Sequence, residues 1–267
     1  MFIKELRAYR HLLREIVIKN IKIQYRDSAL GILWTFLQPL LTTLVLVFIF
    51  QNIFGRNNPA MINYPIYLLC GRLLYEFYSQ STKRAMRSIA NAASVIKKVK
   101  VPKYIYPLAN VISNFITFLI SLLVLVGFTL FYFIIGKNPP VINWHILLTP
   151  IPLLVLFLLC LGVGLILSVL SVFFKDIEYL YDVFCVLLFY FTPIFYLPGD
   201  LKGTTALKMA QMANPLYGIV EMFRDCVLRG VMLNPRHLLY SLGFSLALLL
   251  IGGLVFWKKQ DKFILHI

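Results

Sequence analysis

The chain has 267 residues, of which 60% are hydrophobic and 14% charged, with a mean hydropathy of +0.81. A soluble domain carries roughly half apolar and about a quarter charged residues, so this composition excludes a soluble fold; it equally excludes disorder, which needs low hydrophobicity and high charge. The formal charge of +15, from 26 Lys+Arg against 11 Asp+Glu, is read against anionic lipid and topology rather than nucleic acid.

In residues 2–17, Phe2, Leu6, Tyr9, Leu13 and Ile16 form one helical stripe, with Lys4, Arg7, His11 and Arg14 on the other face. Residues 1–27 are expected to lie in the cytoplasmic interface, cations toward lipid phosphates and apolar face in the acyl boundary. Such a helix serves as a topology anchor, or also docks a cytoplasmic partner and orients the first span. The segment is studded with charge and lacks the apolar core of a secretory leader.

Uncharged runs at 28–55, 57–71, 104–136, 138–174, 183–199 and 237–257 mark six spans, because about 20 apolar residues cross the hydrocarbon core as a helix. The second reaches full length by continuing to Thr82, with Arg72 and Glu76 inside it. The fifth does so if Tyr179–Asp182 begin the helix. The expected fold is an all-α integral membrane protein: an interface helix, a six-helix domain over 28–257, and a tail over 258–267. Of the Lys and Arg residues, 18 fall on one side, in 1–27, the 83–103 loop, Lys175 and the tail; 7 fall on the other, and Arg72 lies within the membrane. The positive-inside rule therefore puts both termini in the cytoplasm.

Polar groups inside the spans admit structural and functional readings. Arg72 and Glu76, four apart, can pair, either locking two helices or facing a water path. Tyr67, Tyr75 and Tyr78 share a stripe beside them whose faces would suit a sugar chain. Asn110, Ser113, Asn114, Thr117 and Ser121 on span three, and Gly31, Thr35, Gln38 and Thr42 on span one, form stripes that read first as helix–helix glue and second as a substrate path.

The 83–103 loop holds seven cations and no acid. Ile89, Val95 and Ile96 within it suggest a docking surface. On the outer side, 193–236 reads as re-entrant: Thr192 and Pro193 break helix five, Asn214-Pro215 starts a short helix, and Gly230 stops it. Leu216, Ile219, Val220, Phe223 and Val227 form one face of that helix, with Glu221, Arg224, Asp225 and Arg229 on the other.

Nothing in the sequence forms a catalytic constellation. The four histidines are scattered without metal-ligand spacing, and Cys70, Cys160, Cys185 and Cys226 form no close pair. No Gly-x-x-x-x-Gly-Lys-Ser/Thr loop is present, so the energy for uphill transport must come from another chain or an ion gradient.

Tyr25-Arg-Asp-Ser-Ala-Leu-Gly-Ile-Leu-Trp34 with Pro39-Leu40, Ile96-Lys-Lys-Val-Lys-Val-Pro102, Phe173-Phe-Lys-Asp-Ile177, Thr192-Pro-Ile-Phe-Tyr196 and Asn214-Pro215 together resemble the membrane subunit of type-2 ABC exporters for O-antigen, capsule and wall teichoic acid. Arg72-Leu-Leu-Tyr-Glu76 departs from the apolar and Trp/Asn-like residues of that family, which either weakens the assignment of the second span to the pore lining or points to a different substrate.

The resemblance implies a homodimer with two cytoplasmic ATPase subunits in a bacterial plasma membrane. These would export an undecaprenyl-pyrophosphate-linked glycan or teichoic acid polymer. No cofactor is implied for this chain; ATP and Mg belong to the ATPase. Coupling to it falls to Arg87, Ile89, Val95, Ile96, Lys97, Lys175 and Asp176. The resemblance places Tyr67, Arg72, Tyr75, Glu76, Tyr78, Asn110, Asn114 and Thr117 along the channel, and Arg26, Lys97, Lys98 and Lys100 at the pyrophosphate. Pro193, Phe195, Tyr196, Asn214, Pro215 and Phe223 would form the outer gate. Alternatives are an exporter of lipid or drug and, less favoured, a membrane-embedded enzyme on a lipid-linked substrate.

Overall fold

Among the described residues a helix falls on each of the six uncharged runs of the sequence. The computed structural model describes residues 8–26, 28–49, 63–99, 101–136, 143–196 and 213–265, with Thr205 and Met209 besides. All its regular structure is helical. In chain order the elements are α1 (Arg10–Tyr25), α2 (Trp34–Phe48), α3 (Tyr64–Asn91), α4 (Ala93–Ile96), α5 (Ile105–Ile135), α6 (Pro150–Phe173), α7 (Ile177–Phe191), α8 (Pro215–Arg224) and α9 (Pro235–Lys259). Short 3-10 turns precede α2 at Gly31–Leu33 and α6 at Trp144–Leu148, and another follows α9 at Gln260–Leu265.

Four of these helical segments are long and apolar enough to cross a membrane: Gly31–Phe48, Ile105–Ile135, Trp144–Phe173 and Pro235–Phe263. The 28 residues of α3 suffice in length, yet Arg72, Glu76, Lys83, Arg84 and Arg87 interrupt its apolar run. The 15 residues of α7 rise about 22 Å, short of a core of about 30 Å. α3 also continues past Thr82 to Asn91, so the first half of the 83–103 segment is an extension of the second span's helix.

At the centre, α3 packs between α5 and α6, and α9 lies along α6. Glycine sets the last contact. A Cβ on Gly162 would stand 2.6 Å from the backbone nitrogen of Leu249, and one on Gly252 would stand 2.7 Å from the Gly162 carbonyl oxygen. Small residues let two backbones touch, which matters in lipid because there is no hydrophobic gain between helices to compensate a gap.

One end of the bundle gathers four distant pieces of chain. Tyr9, Leu12, Leu13 and Ile16 of the N-terminal region, Ile89, Ile96, Val101 and Tyr104, Val172 and Phe173, and Phe256 with Phe263 share one apolar cluster. Phe263 stacks edge-on to Phe256 with centroids 5.3 Å apart, and the Lys103 ammonium donates to the Gln260 carbonyl. The apolar stripe of α1 therefore covers the protein's own bundle, chiefly α5, where the sequence suggested the acyl boundary of the lipid. Phe2, Lys4, Leu6 and Arg7 lie outside the described residues.

Replacing Gly162 by Val should force α6 and α9 apart. We expect a destabilisation of about 1–3 kcal/mol, seen as a lower melting temperature of the purified protein, whereas Gly243→Val, whose Cβ meets nothing within 4 Å, should leave it unchanged.

Candidate functional site

The short helix α8 is where the structure departs most from an amphipathic surface helix. Asn214 caps it, its side-chain oxygen accepting from the Leu216 amide at 3.0 Å, and after Arg224 a π turn over Asp225–Arg229 ends at Gly230 with φ +61°. Leu216, Ile219, Val220 and Phe223 are buried as a hydrophobic face would be, but so are Glu221, Arg224 and Asp225. Of the charged face, only Arg229 reaches water, its side chain 31% exposed.

Arg224 has no solvent exposure. Its guanidinium sits 3.5 Å from the centre of the Tyr67 ring, donates from Nη2 to the Tyr67 carbonyl at 3.0 Å and pairs through Nη1 with Glu221 at 3.1 Å. Arg229 bridges Glu221 at 2.9 Å and Asp225 at 2.6 Å. Burial alone would raise the Glu221 carboxyl, but Arg224 and then Arg229 outweigh it and hold the group below its ordinary value, hence ionised. Gly71 makes the arrangement possible, since a Cβ there would stand 2.6 Å from Nη2 of Arg224.

The tyrosine stripe and the outer turn are bound into the same assembly. The Tyr67 hydroxyl donates to the Tyr196 carbonyl at 2.8 Å and Tyr64 to the Phe195 carbonyl at 3.1 Å. Tyr75 donates to the Cys185 carbonyl at 2.6 Å, and Tyr181 bonds Thr82 at 2.7 Å. Tyr67 and Tyr78 are buried; Tyr67 pins the 193–196 turn onto α3, Tyr75 and Tyr181 pin α7, and Tyr78 lines the cavity between α6, α7 and α9. Asn214 donates to the Thr192 hydroxyl at 3.1 Å, joining the end of α7 to the start of α8, with Pro193 and Pro215 at the two bends and Phe223 buried beneath.

Asn114 and Thr117 of α5 line a small cavity of about 70 Å³ with Gln24, Thr35, Gln38, Glu76 and Ser121. The polar stripes of α2 and α5 meet there: Ser121 donates to the Thr35 carbonyl at 3.2 Å, and the Thr35 hydroxyl lies 2.6 Å from that of Tyr25. Helix glue describes these stripes. Asn110 bonds the Tyr106 carbonyl and lines a different cavity, of about 350 Å³ at the basic end, with Asn20, Gln24, Lys83, Arg84 and Arg87.

Arg72 stands apart from the tyrosines. It lines a cleft of about 610 Å³ between α2 and α7, walled by Leu41, Thr42, Val45, Leu46, Phe189, Tyr190 and Phe195. A second, apolar cavity of about 530 Å³ opens between α6, α7 and α9, walled by Leu159, Val163, Phe184, Leu187, Phe191, Phe244 and Leu248.

At the basic end, Ile89 (0% exposed) and Ile96 belong to the protein's own core, which removes them from the surface the sequence suggested for docking. Exposed in their place are Val95 at 43%, Val99, and Phe174 at 67%, the last beside Lys175 and Asp176. Phe174 escaped the sequence analysis because one Phe in an apolar run carries no sign of pointing outward. Arg87 pairs with Glu178 at 2.8 Å, and Lys83 with Asp182 at 2.7 Å, tying α3 to the start of α7. Arg26, Lys97 and Lys98 are exposed; Lys100 lies outside the described residues. The cations that the structure does gather are Lys83, Arg84 and Arg87.

A helical bundle of this length and apolarity, with one basic end, has the architecture of an integral membrane protein. Residues 11–228 match the ABC-2 type transporter family, and the chain belongs to it. It is 27% identical to the O-antigen export system permease protein RfbA of Myxococcus xanthus over 98% of this chain and 97% of that protein. It is 29% identical to its namesake from Klebsiella pneumoniae, over 94% and 93%. The polysialic acid transport protein KpsM of Escherichia coli is 24% identical over 92% of each chain.

Arg224→Met should leave Glu221 buried with half its compensation and cost about 3–5 kcal/mol, read as loss of monodisperse protein or a sharply lower melting temperature. Removing both charges together, Arg224→Met with Glu221→Gln, should recover part of that loss in a double-mutant cycle.

Proposed function

We propose that this chain is the membrane permease of an ATP-driven exporter that carries a cell-surface polysaccharide, built on an undecaprenyl pyrophosphate carrier, out of a bacterial cytoplasm. Two copies would form the pathway and two ATPase subunits would drive it. The observation that carries the reading is similarity to O-antigen and capsule permeases along nearly the full length of both partners. An exporter of lipid or drug would share the family but not that particular set of relatives.

The architecture supports each part. The absence of a phosphate-binding loop from the sequence leaves ATP to a partner. The N-terminal helix, the basic segment, the turn after α6 and the tail converge at one end, which the positive-inside rule assigns to the cytoplasm; six crossings follow if α3 and α7 complete the set. α2 and α7 leave Leu41, Leu44, Val45 and Phe48, and Val183, Val186, Leu187 and Tyr190, exposed, and Leu41, Val45 and Tyr190 among them wall the Arg72 cleft; this is the surface on which a second copy would close a channel. In this reading the Thr192–Tyr196 turn and α8 are its re-entrant outer gate. The apolar cavity between α6, α7 and α9 would suit a polyprenyl tail, with Arg26, Lys97, Lys98 and Lys100 or the Lys83, Arg84 and Arg87 group toward its pyrophosphate. ATPase closure would push on Val95, Lys97, Phe174, Lys175 and Asp176, and the ion pairs of Arg87 and Lys83 would pass that push to α7.

Deleting the gene should abolish the surface glycan and leave lipid-linked polymer inside the cell. Wild type should restore export, whereas Val95→Asp and Phe174→Asp should restore less than about a tenth while reaching wild-type levels in the membrane and losing co-purification with the ATPase. An unchanged surface glycan after deletion would overturn the reading.

A further inference from the structure

Arg224, fully buried, and Arg72, partly buried, differ in how their terminal nitrogens are partnered, although Nε of Arg224 is itself buried without a hydrogen bond among the described residues. Arg224 uses both terminal nitrogens within hydrogen-bond distance, on Glu221 and on the Tyr67 carbonyl. Arg72, 15% exposed, has Glu76 as its ion-pair partner at 3.9 Å, beyond hydrogen-bond length. The other oxygen of Glu76 is taken by Gln80 at 3.1 Å. Nη1 of Arg72 is buried and makes no hydrogen bond among the described residues. A guanidinium kept at membrane depth with its donors underused costs free energy that a purely structural role does not repay.

Its surroundings specify what would satisfy it. The cleft wall is aromatic on one side: Phe189 lies 4.9 Å from Phe195 and 5.6 Å from Tyr190, ring centre to centre, and Tyr190 is exposed. The other wall is apolar, from Leu41, Val45 and Leu46 of α2. A cation between flat apolar faces fits a ligand that presents a planar anion next to rings with C–H faces, as an acidic sugar does. The depth selects the source of the anion. At about 1.5 Å per residue, Arg72 is about 12 Å along α3 from Tyr64 and about 15 Å from Thr82, near the middle of a core of about 30 Å, where the headgroups of the surrounding lipid do not reach. An anion that meets Arg72 has to travel through the protein.

Resting on the reading of this chain as a polysaccharide permease, we infer that Arg72 reads charge on the exported polymer: the cleft between α2 and α7 selects a glycan that carries carboxylate or phosphate groups along its repeat over a neutral one. Glu76 holds the guanidinium while the cleft is unfilled, and the polymer's anions displace it at short range.

The test uses the full chain in nanodiscs of zwitterionic lipid, with three probes: polysialic acid oligomers, dextran oligomers of matched length and inorganic pyrophosphate. Wild type should bind the acidic oligomer about ten-fold more tightly than dextran, as one charge-assisted contact provides, and the preference should shrink between about 50 mM and about 500 mM salt. Arg72→Gln should erase the preference with dextran binding unchanged, and Arg72→Lys should retain most of it. Glu76→Gln, an independent variant, should tighten the acidic oligomer several-fold by removing the internal competitor. Equal binding of both oligomers to wild type, or a preference indifferent to all three substitutions, would overturn the inference and leave the permease reading standing. Pyrophosphate that displaces the acidic oligomer would assign the anion to the lipid carrier and overturn it as well. If neither oligomer bound, the inference would fall, and the permease reading would stand or fall on the deletion phenotype.

Discussion

Arg224 is a full positive charge with no access to water, and everything around it is arranged to make that tolerable. It takes the Tyr67 ring as a floor, the Tyr67 carbonyl and Glu221 as acceptors, and the missing side chain of Gly71 as room to lie in. Because the cost of leaving any of these charges unpaired is several kcal/mol, α8 can occupy only one position against α3. The position of α8 in turn fixes the outer end. Asn214 reaches Thr192, Tyr67 holds the carbonyl of Tyr196, and the two bends of the outer turn are clipped to the same helix. An assembly built this way moves as a unit or not at all, since loosening one contact exposes a buried ion.

The opposite end is held by apolar packing instead. Four segments far apart in sequence meet in one cluster of Tyr9, Leu13, Ile89, Ile96, Tyr104, Phe256 and Phe263. Around that greasy hub the cations and the exposed Val95 and Phe174 form the outer shell. Dispersion contacts tolerate small sliding, whereas a cluster of three buried charges closed by the partly exposed Arg229 does not, so the same bundle joins a compliant basic end to a rigid opposite end. Between them runs α3, which carries both kinds of contact on one continuous helix.

Several residue sets were readable as patterns but not as partners. The stripes on α2 and α5 announced that two helices would meet along small polar groups, and Ser121 on Thr35 is that meeting. The tyrosines announced a polar function within the span, but hydroxyls that can bond either a sugar or a backbone carbonyl look the same in sequence; here Tyr67 and Tyr75 bond the chain itself. Ile89 and Val95 are both aliphatic residues in a basic segment, yet one is core and the other surface, because α3 runs on to Asn91 and turns Ile89 inward. Glu221 and Arg224 read as a wet face because charge on one side of a short helix usually is one.

Composition and spacing alone determined that the chain lives in a membrane, where its long helices lie, which end is basic and where the outer helix starts and stops. Those features are local: about 20 apolar residues, a proline, a glycine or a run of lysines acts on its own stretch of chain. Only the tertiary structure decided which charges are buried together, which of two arginines has both terminal nitrogens bonded and which apolar side chains remain outside. Each of those depends on residues such as Gly71 and Arg224, or Tyr67 and Tyr196, that are distant in sequence and become neighbours only when the helices pack.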